Sequence, residues 1–253
     1  MGFEYAQARL QARHGDRPDE HLWLLLESNE DISNFLQAAR NSSLRPWVLS
    51  LHANNTSHEF DGSLRRQFCD YIEQVAGWLP SIWHTSMSWV KRLPDIPALQ
   101  YLLSGNNAQQ WMLNDHALKA FTASSMNMRI EAINASDCQP LLEAWQNNVP
   151  LLDAWQDHWL RLWPKTSSKH AAALARIASI FMTHIQNQTV SELDDSSAER
   201  SRLEGQLVWE FRRSPMQPAA AFAHLALVAL DLERLRGNIQ YRVLFRKNPV
   251  KAA

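Results

Sequence analysis

The sequence predicts an all-α, multi-helix protein, and three observations predict it. Glycine is scarce, with 7 in 253 residues, and no run of alternating β-branched residues stands between turn signals as a half-buried strand requires. The last long segment, PAAAFAHLALVALDLERLRGNIQYRVLFR (218–246), places Phe222, Leu225, Ala229, Leu232, Leu235 and Ile239 at steps of three and four, one stripe on a helix. Shorter segments along the chain repeat that period.

Residues 3–13 read as a short helix. HGDRPDEH breaks it, and Pro18 opens the next, HLWLLLES (21–28), where leucine outweighs valine and isoleucine and favours helix over strand. Ser28 or Asn29 is expected to cap EDISNFLQAAR, whose Ile32, Phe35, Leu36 and Ala39 share a face. Pro46 breaks SSLRPWVLSLH. HANNTSHEFDGS reads as a polar loop anchored by Phe60. A helix is expected from Ser63, with Leu64, Phe68, Tyr71, Ile72, Val75 and Leu79 on its stripe and Pro80 as its stop. SIWHTSMSWVKRL is a further helix. Pro94 and Pro97 frame the start of IPALQYLLSG, and Gly105 suits the position just past a helix end.

AQQWMLNDHALKAFTASS looks helical, and MNMRIEAINASDCQP reads as extended or as a helix plus loop. LLEAWQ (141–146) recurs as LLDAWQ (151–156) across Pro150, too short a period for a stacking repeat. Trp155, Trp159 and Trp163 stand four apart on one helix face. Core packing explains such a stripe; an exposed aromatic face for a partner helix is the alternative. Beyond Pro164 come an amphipathic helix, TSSKHAAALARIASIFMTHIQNQ, a loop-like TVSELDDSSAE, and a helix over 198–213 with Leu203, Leu207, Val208 and Phe211 on one side. Pro215 and Pro218 precede the long C-terminal helix. Gly237 inside it costs about 1 kcal/mol relative to Ala and suggests a kink or a close backbone contact. Three segments follow: a lobe over 1–105, a Trp-rich middle over 106–165, and a lobe over 166–253.

Composition narrows the function classes. A net charge of −1 excludes a general nucleic-acid binder. Two distant cysteines, Cys69 and Cys138, point to buried thiols in a reducing cytosol. No apolar run reaches the length of a membrane span, and MGFEYAQARLQARHGD does not read as a secretion signal. Ten histidines form no His-Glu-x-x-His and no His pair at i, i+4; His52, His58 and Glu59 come nearest to a metal group, in the polar loop. No G-x-S-x-G, G-x-x-x-x-G-K-[ST] or G-x-G-x-x-G occurs. Neither catalysis, a cofactor nor a metal is expected. After Glu233 the chain carries Arg234, Arg236, Arg242, Arg246, Lys247 and Lys251 and no acid. This is a dipole-matched helix end with a solvated tail, or a surface for anionic lipid or an acidic partner.

Two phrases share one spacing: Asp95-x-x-x-Leu99-x-x-x-Leu103 and Asp231-x-x-x-Leu235-x-x-x-Ile239. RLPDIPALQYLLSG (92–105) resembles a signature of the subunit called C in archaeal and bacterial V/A-type rotary ATPases and d in eukaryotic ones. Asp95, Leu99, Leu103 and Gly105 match it, whereas Ala98, Gln100 and Ser104 stand where the family has Asn, Lys and Arg. Tyr5, Ala8 and Arg9 match the family's opening Tyr-x-x-Ala-Arg. Asp231, Leu235 and Arg236 match its C-terminal helix, with Arg234 in place of Asn. The resemblance covers roughly 3–105 and 215–246. It implies a shortened member of a family built as a lobed, funnel-like array of amphipathic helices. That family's role is non-catalytic: a socket between the central rotor shaft and the membrane proteolipid ring in proton or sodium transport, cytoplasmic or peripheral at the inner face of the membrane. A stand-alone helical adaptor of the same fold, serving another membrane-associated complex, is the alternative. Arg234, Arg236, Arg242, Trp155 and Trp159 are the expected partner surface. Tyr5, Arg9, Asp95, Leu99, Gly105, Asp231 and Leu235 are the expected structural signature, with Asp95 and Asp231 capping or pairing within their lobes.

Overall fold

The computed structural model describes residues 2–165, 168–190 and 196–245, and no strand occurs among them. In chain order the α-helices are α1 (Phe3–Gly15), α2 (Glu20–Glu27), α3 (Ile32–Arg40), α4 (Arg45–Val48), α5 (Ser57–Trp78), α6 (His84–Ser88), α7 (Ile96–Leu103), α8 (Gln110–Asn114), α9 (Met126–Asn134), α10 (Gln139–Gln146), α11 (Leu151–Arg161), α12 (Ser168–Val190), α13 (Ser196–Arg213) and α14 (Pro218–Leu244). The fold is all-α, as the periodicity predicts. Residues 191–195 of the expected loop lie outside the described residues.

Several starts are set by side chains that a periodicity argument passes over. α2 opens at Glu20 rather than at Pro18, and Asp19 caps it by accepting from Leu22 N at 2.8 Å. Asp31, not Ser28 or Asn29, caps α3 through Ser33 N and Asn34 N. Of the expected polar loop over 52–63, residues 52–56 are non-helical, and from Ser57 on the chain is already α5. Thr56 and Glu59 form a reciprocal capping box there, and Phe60 is buried behind it. Glu59 of the His52–His58–Glu59 group is thereby engaged on the backbone.

The chain divides into two compact units, Met1–Pro80 with Lys165–Ala253, and Ser81–Pro164. The first expected lobe therefore closes at Pro80 rather than 105, and the phrase at 95–103 belongs with the Trp-rich middle.

The first unit is organised around α14. From Pro218 to Asp231 almost every side chain is buried, so the helix is enclosed rather than laid on a surface by one stripe. α1 runs along it in the same direction, with Gln7 Oε1 accepting from Met216 N and Arg17 meeting Asp231. Further along, Val228, Leu232, Leu235 and Ile239 join Trp23, Leu26, Phe35, Leu36, Leu44, Val48, Phe60 and Leu64 in one hydrophobic core. Gly237 is exposed with open space where a Cβ would stand, so no close contact accounts for it.

The second unit is built from short pieces. 3₁₀ turns at Ser81–Trp83 and Trp89–Asp95 flank α6 where one helix was expected, and Pro94, which lacks an N–H, lies inside the second. Gly105 follows α7 at φ +84°, the left-handed conformation its position requires. Asp115 ends α8 by accepting from Ala117 N and Leu118 N, which breaks the helix expected over 108–125. Asn148 at φ 57° and Pro150 separate α10 from α11. Trp155 and Trp89 each donate an indole N–H to the other's carbonyl, at 3.3 and 3.0 Å.

Candidate functional site

Each phrase places its acid at a buried ion-paired centre. Asp231, on α14, is 7 % exposed. It faces Arg17, which the Gly15–Asp19 corner between α1 and α2 turns inward. Arg17 Nε donates to Asp231 Oδ2 at 2.7 Å and Nη2 to Oδ1 at 2.9 Å, a two-pronged pair that a guanidinium plane favours. Arg17 Nη2 also donates to Glu204 Oε1 of α13 at 2.8 Å. Burial pushes the Asp231 carboxyl up from its ordinary value, against the pull of Arg17. Burial works the other way on Arg17, and its two carboxylate partners outweigh it. Four and eight residues on, Leu235 and Ile239 are fully buried.

The phrase in the second unit repeats the pattern. Asp95 is 2 % exposed and accepts from Arg92 Nη1 at 3.2 Å. Arg92 in turn grips Asp137 with two bonds of 3.0 and 2.7 Å. Leu99 and Leu103 are buried at the same steps of four and eight. Of the two expected roles, Asp95 and Asp231 both pair: Asp95 stands at the N-cap of α7 without a side-chain cap bond.

A third buried acid carries no such phrase. Glu210 on α13 is 1 % exposed and takes Arg176 Nε and Nη2 at 2.9 and 2.8 Å, with Ser214 Oγ at 2.7 Å.

Beside Arg17 the first unit holds an aromatic–histidine cluster. His224 is fully buried on α14, and its Nε2 lies 2.7 Å from the Tyr71 hydroxyl of α5. His14 stacks on Phe211 at 4.3 Å, and its ring lies 6.5 Å from that of His224. Nδ1 of both histidines is buried with no hydrogen-bond partner. Burial, then the neighbouring His14, Arg17 and Arg13, hold His224 down to about 3. Burial pushes the Tyr71 phenol up to about 12. Neither group is poised to exchange a proton near neutral pH. A cavity of about 380 Å³ opens in front of this cluster, lined by Arg13, Arg17, Trp47, Asp70, Tyr71 and Asp231 among others. Among the described residues, no three His, Cys, Asp or Glu side chains converge to hold a metal ion. Burial raises the Cys138 thiol to about 12, so it carries no thiolate at neutral pH.

The expected partner surface is not a free surface. Trp155 is 3 % exposed and Trp159 0 %, stacked at 5.5 Å inside the second unit, so the core reading of the indole stripe holds. Arg242 is buried over the Phe35 ring and donates to the carbonyls of Asn29 and Glu27 at 2.7 and 3.0 Å. Arg234 bonds Glu20 and Glu27 and lies over Trp23. Arg236 bonds Asp61 at 2.8 and 3.0 Å. These arginines fasten α14 to α2, α3 and α5. Of the remaining signature residues, Tyr5 is half-exposed and Arg9 lies over the Trp78 ring.

Sequence reasoning missed Arg17, Tyr71, Arg176, Glu210 and His224 as site residues. The only local hint is Arg17 itself, in a corner between two helices where a long cation needs a reason. Comparison with protein-family models, with curated proteins and with solved structures finds no match.

Proposed function

We propose that this chain is a non-catalytic structural subunit of a rotary ATPase of the V/A type, the socket that couples the central shaft to the proteolipid ring during proton or sodium transport. The observation that carries the reading is the repeated job of the two phrases. In each unit an aspartate of the same spacing is buried and held by an arginine, and the apolar residues four and eight positions later fill the core. A protein of repeated helical lobes has this internal likeness, and the resemblance at Asp95 and Asp231 implies such lobes. The chemistry supports it too. The buried acids are held by Arg17, Arg92 and Arg176, and the C-terminal arginines by Glu20, Glu27, Asp61 and backbone carbonyls; such fastenings stiffen joints, and a part that passes torque needs stiff joints.

Purification of the tagged chain from its native cells in mild detergent, followed by mass spectrometry, tests the reading. Shaft and proteolipid-ring subunits are expected in stoichiometric amounts. Their absence beside a stoichiometric, unrelated membrane complex would overturn it and leave a helical adaptor of the same fold.

A further inference from the structure

The cavity beside Tyr71 lies wholly within the first unit, where the α1–α2 corner, the α3–α4 segment, α5 and α14 meet. Its volume of about 380 Å³ admits one small molecule; sites for such ligands run from about 300 to about 1,000 Å³. Trp47 and Tyr71 both line it and both are only partly buried. Their rings stand edge to face, 5.4 Å apart at 76°, and so form a corner. The Tyr71 hydroxyl is engaged with His224, which leaves the ring to meet a ligand. Elsewhere the chain covers aromatic rings with its own guanidinium groups: Arg9 over Trp78, Arg213 over Trp209, Arg234 over Trp23 and Arg242 over Phe35. Among the described residues no cation lies over Trp47 or Tyr71.

The charges around the corner set the sign of what it takes. Arg17 is bound to Asp231 and Glu204, and Arg13 has Asp16 at 3.9 Å. Asp70, next to Tyr71 on α5 and exposed, has neither ion pair nor hydrogen bond among the described residues. Two guanidinium groups thus stand among four carboxylates, and the carboxylate left over is the one beside the aromatic corner. We infer that this cavity binds a small alkylammonium ion, its charged head against the Trp47 and Tyr71 rings and within the field of Asp70. Two rings at a steep angle present their negative faces to one cation, and alkylammonium groups are held in this way. An anion fits worse. Arg17 spends Nε and Nη2 on its own carboxylates, and an anionic ligand would meet the excess of negative charge.

The experiment is titration calorimetry on the purified full chain in an amine-free buffer. The probes are choline, its neutral isostere with carbon in place of the charged nitrogen, and inorganic phosphate. Choline is expected to bind at one site per chain, the isostere about tenfold more weakly, and phosphate not at all. Asp70→Asn removes an exposed, unpaired charge, so it is expected to keep the parent melting temperature and to bind choline about threefold more weakly. Trp47→Phe keeps a ring and is expected to retain weakened binding, whereas Trp47→Leu is expected to lose it. A melting temperature for each variant separates lost binding from lost folding, and Asp70→Asn decides the matter if Trp47→Leu does not fold. No heat with choline, equal affinity for choline and its isostere, preference for phosphate, or parent-like affinity in Asp70→Asn would overturn the inference. The purified chain needs no rotary-ATPase subunit for this test, so the result is independent of the coupling role.

Discussion

His224 shows what a single residue in this core does to the whole. It is fully buried, its Nε2 is tied to Tyr71, and His14 and the cations Arg17 and Arg13 act on it. Its folded-state value of about 3 is below the ordinary 6.5. As pH falls through 6.5 the unfolded chain takes up this proton and the folded chain does not. Stability is therefore lost between pH 6.5 and about 3, at about 1.4 kcal/mol per pH unit for one group. His14, lowered first by burial and then by Arg17, adds to the same limb. Above pH 6.5 both states are neutral at these rings and the contribution is flat. A His224→Gln variant, which keeps a polar partner for Tyr71, is expected to have a shallower fall of melting temperature from pH 6 to pH 4. Parallel curves for variant and parent would show that this ring does not set the acid limit. Asp231 works in the other sense. Asp231→Ala leaves Arg17 buried with one carboxylate instead of two and is expected to lower the melting temperature; an unchanged value would show that the pair adds nothing to stability.

At the scale of the element, α14 carries one interior glycine that its surroundings do not require. Gly237 is exposed, helical, and faces open space. Gly237→Ala is therefore expected to stabilise the chain by about 0.5–1 kcal/mol, read as a raised denaturation midpoint with unchanged slope. A drop instead would mean that something packs on that face. The same helix shows what was legible in the sequence and what was not. Periodicity located α1, α3, α5, α12, α13 and α14, because steps of three and four record a buried face locally. Helix starts were less legible where polar residues carried the signal: the Thr56–Glu59 box sits in a stretch whose asparagines and serines look like loop. The 81–125 region broke into short turns because Pro94 and the capping carboxylate of Asp115 act between helices rather than along one. Spacing singled out Asp95 and Asp231, but not their company. Arg17 is 214 residues from Asp231, and Asp61 is 175 from Arg236. No window on the chain contains both partners of such pairs. Arg234, Arg236 and Arg242 looked like a basic surface for the same reason.

At the scale of the molecule, the chain enters one unit, leaves it at Pro80, builds a second, and returns at Lys165. The two units therefore differ in how they depend on chain continuity. Residues 81–164 contain the buried Trp83, Met87, Leu99, Leu102, Phe121, Ile133, Leu141, Trp155 and Trp159. The first unit draws its core from both sides of that insertion: Phe35, Val48 and Phe60 come before it, Val228, Leu235 and Ile239 after it. Its polar fastenings also bridge the gap, Arg17 to Asp231 and Glu20 to Arg234 among them. Truncation after Pro164 is then expected to act selectively. Residues 1–80 would lose the helix that encloses their apolar faces and the partners of Arg17 and Glu20, and their amides would exchange at rates near those of an unfolded chain. Residues 81–164 would keep their protection, since α7, α9, α10 and α11 pack on one another within the segment. Hydrogen exchange on the truncated chain separates these outcomes peptide by peptide. Retained protection over 32–75 would show that α3 to α5 hold together without α14. Uniform loss across both segments would show that the second unit draws its stability from the first.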